Sequence, residues 1–406
     1  MATDKRLSPP QTAPSTSKAK GKKWWQRWFH LATGFDMQFF VLLIIILIIG
    51  LATLYSASHV YALNYNDGDS FFYIRKQALF ALGGLVAMLL ISMVDYHILH
   101  RWAWIFWLVS IGLLGLALVM PSETGIRRWV QVGPITFQPS EIAKFALVLL
   151  FAHLISLNYK RMKKFTVGFV PLMSILAVTC GLVVIEPHLS GTLLIAILGF
   201  AMMYIGGVRL WQLLLVVGLG IALVVFMVLV LGYEQDRIAV WRYPMESFTN
   251  QIEFENGMSG RDNAWQTVQS MIAIGSGGLL GQGPGNSRQK HLFLPEPQND
   301  FVFSVFCEEM GWVGAIIVLL LFALLMWRGF KIAMKAPDKF GCMLALGLTL
   351  QIGIQVAINV AVVSNLLPNT GISPPFFSYG GTSILMLMAQ MGVVLSVSRQ
   401  SRMEKL

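Results

Sequence analysis

Residues 281–300, GQGPGNSRQKHLFLPEPQND, are polar and rich in Gly and Pro, and residues 301–327, FVFSVFCEEMGWVGAIIVLLLFALLMW, which follow directly, are almost entirely apolar. The apolar run exceeds the roughly 20 residues that a helix needs to cross a bilayer. Asp300 therefore stands at the mouth of a predicted membrane helix, close in sequence to Arg288 and Lys290. Because a carboxylate is costly to keep there for packing alone, we expect a functional site.

The composition excludes an ordinary soluble domain. Hydrophobic residues make up 56% of the chain, charged residues only 12%, and the mean hydropathy is +0.66, whereas soluble domains carry roughly 25% charge. The formal charge of +10 is then a sign of membrane topology and attraction to anionic lipid rather than of nucleic-acid binding. The three cysteines all fall inside apolar runs without metal-binding spacing, which argues against a disulfide framework or a zinc site.

Ten apolar runs of about 20 residues follow one another along the chain. They cover residues 36–57, 74–94, 101–120, 138–158, 165–185, 190–206, 210–232, 301–327, 340–365 and 375–397. We therefore predict an all-α polytopic membrane protein with ten transmembrane helices.

The distribution of Lys and Arg predicts the orientation. These residues are concentrated in the N-terminal tail, in every second connection and at the C-terminus, so the positive-inside rule places both termini in the cytoplasm. The large loop 233–300, between the seventh and eighth spans, is then extracytoplasmic. We expect residues 1–35 to form a disordered basic cytoplasmic tail with an interfacial aromatic anchor, 36–400 the membrane domain, and 401–406 a cytoplasmic C-terminus.

Polar side chains gather around the start of the fourth predicted span. Arg128 lies beside Trp129 in an outer loop, and an exposed outer arginine with no evident structural role indicates binding of an anion such as a phosphate. After Gln138, Glu141 and Lys144 lie three residues apart and so share one face of a helix. These two can contact a ligand, or they can form a salt bridge that only anchors the helix.

Two other outer segments carry polar residues. The turn after the fifth span, Glu186-Pro-His-Leu-Ser-Gly-Thr192, places Glu186 at the membrane edge, where it can help to bind a cation, while His188 is more typical of an ordinary hydrogen-bonded residue. In the large loop, Arg237 adds positive charge, and Gln266 and Gln269 belong to a predicted amphipathic segment. The Gly-rich stretch that follows has no preceding strand, so we reject a dinucleotide site and expect close backbone approach or a re-entrant turn.

The eighth span carries a polar stripe. Asp300, Ser304, Glu308 and Gly311 recur on one face of a helix. Glu308 and Glu309 then lie inside the membrane, where ionisable groups face a polar cavity or bond to neighbouring helices. For these two we favour structural hydrogen bonds, and for Asp300 we favour chemistry.

The connection between the last two spans, PNTGISPPFFSYGGTS at 368–383, breaks the helices with Pro and Gly. Exposed backbone groups at membrane depth are tolerated only where they line a cavity. Asn359 lies just below this connection in the ninth span.

The order of these residues resembles that of the SEDS family (shape, elongation, division and sporulation). The matching motifs are Arg128-Trp129, Gln138-Pro-x-Glu141-x-x-Lys144, Gly281-x-Gly-x-Gly-Asn-Ser-x-Gln-Lys290, Leu294-Pro-Glu-x-x-x-Asp300-Phe, Glu308-Glu-x-Gly311 and Ser378-Tyr-Gly-Gly381. The resemblance covers essentially all of 36–400, and the first Gly-rich motif is closer to the division (FtsW-like) and sporulation (SpoVE-like) branch than to the elongation (RodA-like) branch. One departure is His188, where the family commonly has Asp, with one additional residue in that turn.

The resemblance implies a peptidoglycan glycosyltransferase that polymerises lipid II. Asp300 would take the proton from the 4-hydroxyl of the acceptor N-acetylglucosamine, which attacks C1 of the donor with inversion and releases undecaprenyl diphosphate. Such a transfer needs a base and cations, but no acid for the leaving group. The substrate-binding residues expected on this basis are Arg128, Trp129, Gln138, Glu141, Lys144, Arg237, Gln266, Gln269, Asn286, Ser287, Lys290, Glu296, Ser378 and Tyr379.

The resemblance also implies partners and a cofactor. A divalent cation (Mg²⁺ or Mn²⁺) is expected, although the sequence shows no ligand set for it. The expected partners are lipid II, the growing glycan strand, a class B penicillin-binding protein and the division or sporulation machinery, in the bacterial cytoplasmic membrane. Two alternatives remain open: a lipid II flippase or transporter, and a non-catalytic scaffold for a transpeptidase. No convincing internal repeat of the kind common in transporters is visible.

Overall fold

The computed structural model describes residues 34–120, 128–132, 135–186, 188–231, 235–249 and 260–403, so the predicted tail falls almost wholly outside the described residues. The helices are α1 (Met37–Tyr65), α2 (Phe72–Met93), α3 (His97–Val119), α4 (Pro139–Asn158), α5 (Val170–Ile185), α6 (Leu189–Ile205), α7 (Leu210–Leu231), α8 (Gln235–Arg242), α9 (Pro244–Thr249), α10 (Gly260–Ser276), α11 (Val302–Met334), α12 (Lys339–Val363) and α13 (Gly381–Met403). Two short strands, β1 (Val130–Val132) and β2 (Ile135–Phe137), precede α4.

Eight of the described helices are long and apolar enough to cross a membrane: α1 to α5 and α11 to α13, with α4 and α5 counted together with the short turns beside them. The other two predicted spans correspond to α6 and to the described part of α7, which are apolar but shorter. The chain is therefore a multi-pass membrane protein, as expected, while the count of ten spans stays a prediction.

The strands β1 and β2 were not expected in an all-α chain. They form an antiparallel ribbon in which Val130 pairs with Phe137. The sequences VQV and ITF each alternate apolar and polar residues, which is the strand period. Runs of three residues are too short to stand out beside helices of twenty, so the ribbon is a small correction to the predicted fold class.

Helices α4, α12 and α13 form the centre of the bundle. About two thirds of the most apolar stretch of α4 is buried (67%), against 28% for α2. Helix α13 packs along α2, α12 along α11 and α4, and α3 along α4. The outer helices expose large apolar side chains such as Leu79 and Leu82, as expected for surfaces that face lipid.

Helix α11 is interrupted at Gly311, whose backbone is non-helical (φ 66°, ψ −170°). The groups freed by this break bond to the Gly-rich loop: Gln282 N–H and Gly283 N–H donate to the carbonyls of Glu308 and Glu309, both at 3.0 Å. In return, Trp312 N–H donates to the carbonyl of Gly278 at 3.0 Å. Loop and helix thus satisfy each other's backbone groups inside an apolar surrounding, where unpaired ones would be costly.

Candidate active site

Asp300 lies one residue before the N-terminal cap of α11, at the meeting point of three segments. Its side chain is half-buried, and Oδ1 accepts a hydrogen bond from Ser373 Oγ at 2.7 Å. Its backbone carbonyl accepts one from Asn359 Nδ2 at 2.8 Å, and the same amide donates to the carbonyl of Ile372 at 2.7 Å. Helix α12 and the loop after it therefore fix the position of Asp300.

The surroundings of Asp300 keep its carboxylate basic. Burial raises its pKa above the usual value, the hydrogen bond from Ser373 lowers it, the negative charge of Glu296 raises it again, and the positive charge of Arg128 lowers it. The net effect is a raised pKa. A carboxylate with a raised pKa is a better general base than an ordinary exposed one.

The second carboxylate oxygen of Asp300 lies close to Gly371. Oδ2 accepts no hydrogen bond from any residue that the structure describes, and it lies beside Gly371. A Cβ on Gly371 would come within 3.1 Å of Oδ2 and 3.8 Å of Ser190 Oγ, and Gly371 also has a positive φ of 70°. Glycine at this position therefore leaves room for a group that contacts Oδ2.

The residues around the start of α4 form a polar cluster. Lys144 Nζ donates to Glu141 Oε1 at 2.7 Å, and Gln138 Nε2 lies 3.3 Å from His188 Nδ1. Burial, and then the positive charges of Arg128 and Lys144, lower the pKa of His188 to about 3, so this imidazole is neutral. The positive charge of Arg128 also lowers the pKa of Asp300, which links this cluster to the carboxylate.

Glu186 is fully buried, and neither of its carboxylate oxygens has a hydrogen-bond partner among the described residues. Burial raises its pKa to about 8, against the opposing charge of Arg128. Glu186 is therefore largely protonated at neutral pH, which does not suit a cation ligand. Within the described ranges no three His, Cys, Asp or Glu side chains gather where they could hold a metal ion. The divalent cation expected from the resemblance stays a prediction, because Mg²⁺ is often held by one or two carboxylates together with substrate phosphates.

The side chains of Lys290 and Ser287 make hydrogen bonds with other groups of the protein. Lys290 is fully buried, and its ammonium donates to Glu309 Oε1 at 3.0 Å, to Ser56 Oγ at 3.1 Å and to the carbonyl of Gly285. Since an ammonium has three donors, these acceptors use all of them. The hydroxyl of Ser287 donates to Glu308. In this structure both side chains anchor the loop, and their expected contact with substrate stays a prediction.

Glu308 and Glu309 accept the hydrogen bonds that hold the loop. Glu308 accepts the backbone N–H groups of Arg288 and Gln289 at 3.1 and 3.2 Å, and Glu309 accepts Ser56 Oγ at 2.6 Å. Structural hydrogen bonding, which we favoured for both residues, is what the geometry shows. Among the described residues, Arg128 and not Lys290 is the cation whose charge lowers the pKa of Asp300.

Four other residues that we expected to bind substrate lie in α8, in α10 and beside β1. Gln266 Oε1 accepts Asn369 Nδ2 at 3.1 Å, which ties α10 to the loop that carries Ser373. Gln269 is buried in α10, and Trp129 is half-exposed. Arg237 belongs to α8, but its side chain lies outside the described residues.

Four others support the loops rather than the Asp300 pocket. Asn286 donates to the carbonyl of Gln282 at 3.2 Å, and Glu296 accepts Asn299 Nδ2 at 2.8 Å. Ser378 Oγ donates to the carbonyl of Pro374 at 3.2 Å, and Tyr379 packs edge-on against Tyr73 with ring centroids 4.9 Å apart. Of these, only Glu296 affects the pKa of Asp300.

Sequence reasoning missed Ser373, Gly371 and Ser190. All three lie in loops or at the start of a helix, and nothing in the local pattern distinguishes them from ordinary turn residues. Their role depends on the approach of the α12–α13 loop and the start of α6 to Asp300, which the sequence does not show.

Comparison with known proteins gives consistent matches over the whole membrane region. Residues 36–403 match the family model described as cell cycle protein, FtsW/RodA/SpoVE. Stage V sporulation protein E of Bacillus subtilis (strain 168) is 38% identical over 90% of this chain and 98% of its own length. A probable peptidoglycan glycosyltransferase FtsW of Geobacter sp. (strain M18) is 35% identical over 91% and 98%.

Solved structures show the same fold. A chain of a structure titled as the structural coordination of polymerization and crosslinking by a peptidoglycan synthase complex matches with a TM-score of 0.73 at 26% identity, covering 92% of this chain and 99% of that one. The crystal structure of the rod shape determining protein RodA of Thermus thermophilus matches with a TM-score of 0.64 at 26% identity, covering 91% and 98%.

Proposed function

The chain belongs to the FtsW/RodA/SpoVE family of cell cycle proteins, and we propose that Asp300 is the general base with which it polymerises lipid II. It is a peptidoglycan glycosyltransferase, the activity for which its FtsW relatives are named. The observation that carries the assignment of the base is the pocket around Asp300. There a half-buried carboxylate has a raised pKa, one oxygen is held by Ser373, and the other lies open beside Gly371.

In this mechanism each part of the pocket has a separate task. Asp300 Oδ2 accepts the proton of the acceptor's 4-hydroxyl, and the resulting oxygen nucleophile attacks C1 of the donor sugar with inversion. The bond from C1 to the diphosphate breaks, and undecaprenyl diphosphate leaves without needing a proton. Arg128 stabilises the negative charge that develops on the departing diphosphate, because its planar guanidinium can bind two phosphate oxygens at once.

The role of Lys144 is indirect in this proposal. Its ammonium already donates to Glu141 and is almost fully buried, so it acts on the substrate through its charge and by fixing the first turn of α4. Gln138 holds the neutral ring of His188 at the edge of the same cluster. A divalent cation, expected from the resemblance, would add positive charge at the diphosphate; among the described residues no three His, Cys, Asp or Glu side chains form a site for it.

The proposed location follows from the substrate. Lipid II is polymerised at the outer face of the bacterial cytoplasmic membrane, so Asp300 and the loop 233–300 face outward, both termini face the cytoplasm, and ten helices span the bilayer. The concentration of Lys and Arg in the alternate connections supports this orientation.

We further propose a role in cell division or sporulation together with a class B penicillin-binding protein. The two relatives named above come from these branches of the family. A structural neighbour is part of a peptidoglycan synthase complex that couples polymerization to crosslinking, which supports a transpeptidase as the partner.

Purified Asp300→Asn protein tests the proposal. Asn has nearly the same shape but cannot accept a proton at neutral pH, so glycan synthesis from lipid II should fall by roughly 10²- to 10⁴-fold, the usual contribution of a general base. Asp67→Asn is the matched control, because Asp67 is exposed in the turn after α1 and its positive φ of 50° suits Asn. Near-normal synthesis by Asp300→Asn would remove the base assignment. Transport of lipid II without synthesis by the unmodified protein would instead favour a flippase.

A further inference from the structure

A cavity of about 230 Å³ lies at the end of the bundle opposite Asp300, where α1 begins and α11 and α13 end. Helix α11 starts beside Asp300 and reaches this cavity near its last turns, so the helix length separates the two. The polar residues that line the cavity are Asp36, Arg328, Lys331, Lys335, Ser398 and Ser401.

The charged side chains that line this cavity carry a net positive charge. Of the described residues that line it, three are basic, and only Asp36 is acidic. Asp36 is occupied: Arg328 Nε lies 2.9 and 3.0 Å from its two oxygens, and its Oδ1 also caps α1 by accepting the N–H of Phe39 at 3.0 Å. Lys331 and Lys335 therefore lack an acidic partner among the residues that the structure describes.

The position of Lys331 indicates the depth of the cavity in the membrane. Its ammonium lies 3.4 Å from the centre of the Trp327 ring, and that ring is half-exposed. Tryptophan at the end of an apolar helix marks the level of the lipid head groups. Basic cavities between membrane helices at this level suit anionic head groups.

We propose that this cavity binds the phosphate-bearing head group of an anionic phospholipid. Lys331 and Lys335 supply the uncompensated positive charge, and the buried residue Ser398, which also lines the cavity, has a hydroxyl that can donate to a phosphate oxygen. The Asp36–Arg328 pair also lines the cavity and joins the start of α1 to the last turns of α11.

The N-terminal segment of this chain is a poorer occupant. Residues 1–33 contain seven Lys or Arg and a single acidic residue, Asp4, so their charge has the same sign as that of the cavity. Two positive groups repel each other, whereas an anionic lipid would be attracted to both the segment and the cavity.

Lipid binding by the purified full-length protein tests this site. We expect phosphatidylglycerol in mixed micelles to raise the melting temperature and to remain bound in native mass spectrometry, while phosphatidylcholine does neither. The double variant Lys331→Gln/Lys335→Gln should bind phosphatidylglycerol roughly 25-fold more weakly, since each lysine near an anionic lipid contributes about fivefold. The binding should also weaken as salt increases.

The variant Lys163→Gln/Lys164→Gln is the matched control, because both lysines are exposed in the connection after α4 and neither lines the cavity. It loses the same charge and should bind phosphatidylglycerol like the unmodified protein. Equal loss in both double variants would reduce the effect to overall charge and overturn the site. Equal stabilisation by inorganic phosphate alone would overturn the assignment to a lipid. Tight lipid binding that appears only after removal of residues 1–33 would assign the cavity to the tail.

Discussion

Asp300 and Lys290 belong to the same outer segment, but their surroundings differ in the number of partners they offer. Lys290 has an acceptor for every proton of its ammonium, including the carboxylate of Glu309. From the described residues, the side chain of Asp300 receives one hydrogen bond, from Ser373. A buried ionic group with all its partners stabilises the loop, whereas a carboxylate with an open oxygen remains available for proton transfer.

Loss of the Ser373 hydroxyl should move the pH dependence of catalysis. The hydrogen bond to Asp300 lowers a pKa that burial raises, so Ser373→Ala should raise that pKa further. The base is active when deprotonated, and its activity is therefore lost as pH falls through the pKa. We expect the acid limb of the kcat/KM profile to shift to higher pH, because the variant loses a hydrogen bond that favours the charged carboxylate.

Ser378→Ala is the control for this profile, because its hydroxyl donates to the carbonyl of Pro374 and not to Asp300. It should leave the acid limb in place. An unchanged limb in Ser373→Ala, with the same maximal rate, would show that Asp300 does not carry the titration.

Arg128 should act on the substrate and not on the fold. We expect Arg128→Ala to reduce kcat/KM for lipid II by roughly 10²- to 10³-fold, the usual effect of removing one donor to a developing negative charge. Arg128→Lys should recover part of this, because it keeps the charge but loses the paired N–H geometry. Arg242→Ala, an exposed arginine of α8, serves as the control. A lower melting temperature with unchanged activity per folded molecule would assign Arg128 a structural role.

At the scale of elements, the break in α11 explains the glycines of the outer loop. Gly281 has a φ of 81°, and a Cβ there would lie 2.1 Å from the carbonyl oxygen of Glu309. A Cβ on Gly311 would lie 2.3 Å from the N of Gly281. The two backbones approach so closely that neither position accepts a side chain. This approach lets the carbonyls of Glu308 and Glu309 accept hydrogen bonds from the loop backbone.

Substitution of Gly281 should show how much this contact contributes. Gly281→Ala should lower stability through backbone strain of roughly 1–2 kcal/mol and through a clash of roughly 1–3 kcal/mol. Gly285→Ala is the matched control: its φ is 80°, but nothing lies within 4 Å of the added Cβ, so only the strain remains. Thermal unfolding in detergent measures both. Equal melting temperatures for the two variants would show that the loop moves away without cost.

The sequence predicted the elements better than their contacts. Apolar runs of span length located α1 to α7 and α11 to α13, because the bilayer imposes that length. Glu308 accepts hydrogen bonds from the loop, as we favoured, while the catalytic role of Asp300 stays a prediction. The sequence did not show that α11 breaks at Gly311 or that the side chain of Lys290 is buried against Glu309. Both features depend on contacts between segments that are distant in sequence. The hydrogen bond from Ser373 to Asp300 could not be predicted for the same reason.

At the scale of the whole molecule, outer segments distant in sequence build one site. The α12–α13 loop supplies Ser373 and Gly371, the start of α6 supplies Ser190, and the segment before α11 supplies Asp300. The site lies at one end of the bundle, and the basic cavity at the other. The function therefore depends on which end faces outward, because the two ends have different chemical tasks.

Cysteine labelling in intact cells tests that orientation. Met245→Cys places an exposed thiol in α9, and Lys163→Cys places one in the connection after α4. The native cysteines are buried or half-buried, so the unmodified chain gives the background. In intact cells a membrane-impermeant thiol reagent should label Met245→Cys and not Lys163→Cys. Lys163→Cys should be labelled only after the cells are opened, because positive charge keeps the connection between α4 and α5 in the cytoplasm. The reverse pattern would put Asp300 on the cytoplasmic side, away from the face at which glycan strands grow. The pocket around Asp300 would then need another substrate, and transport would become the better account of the helices.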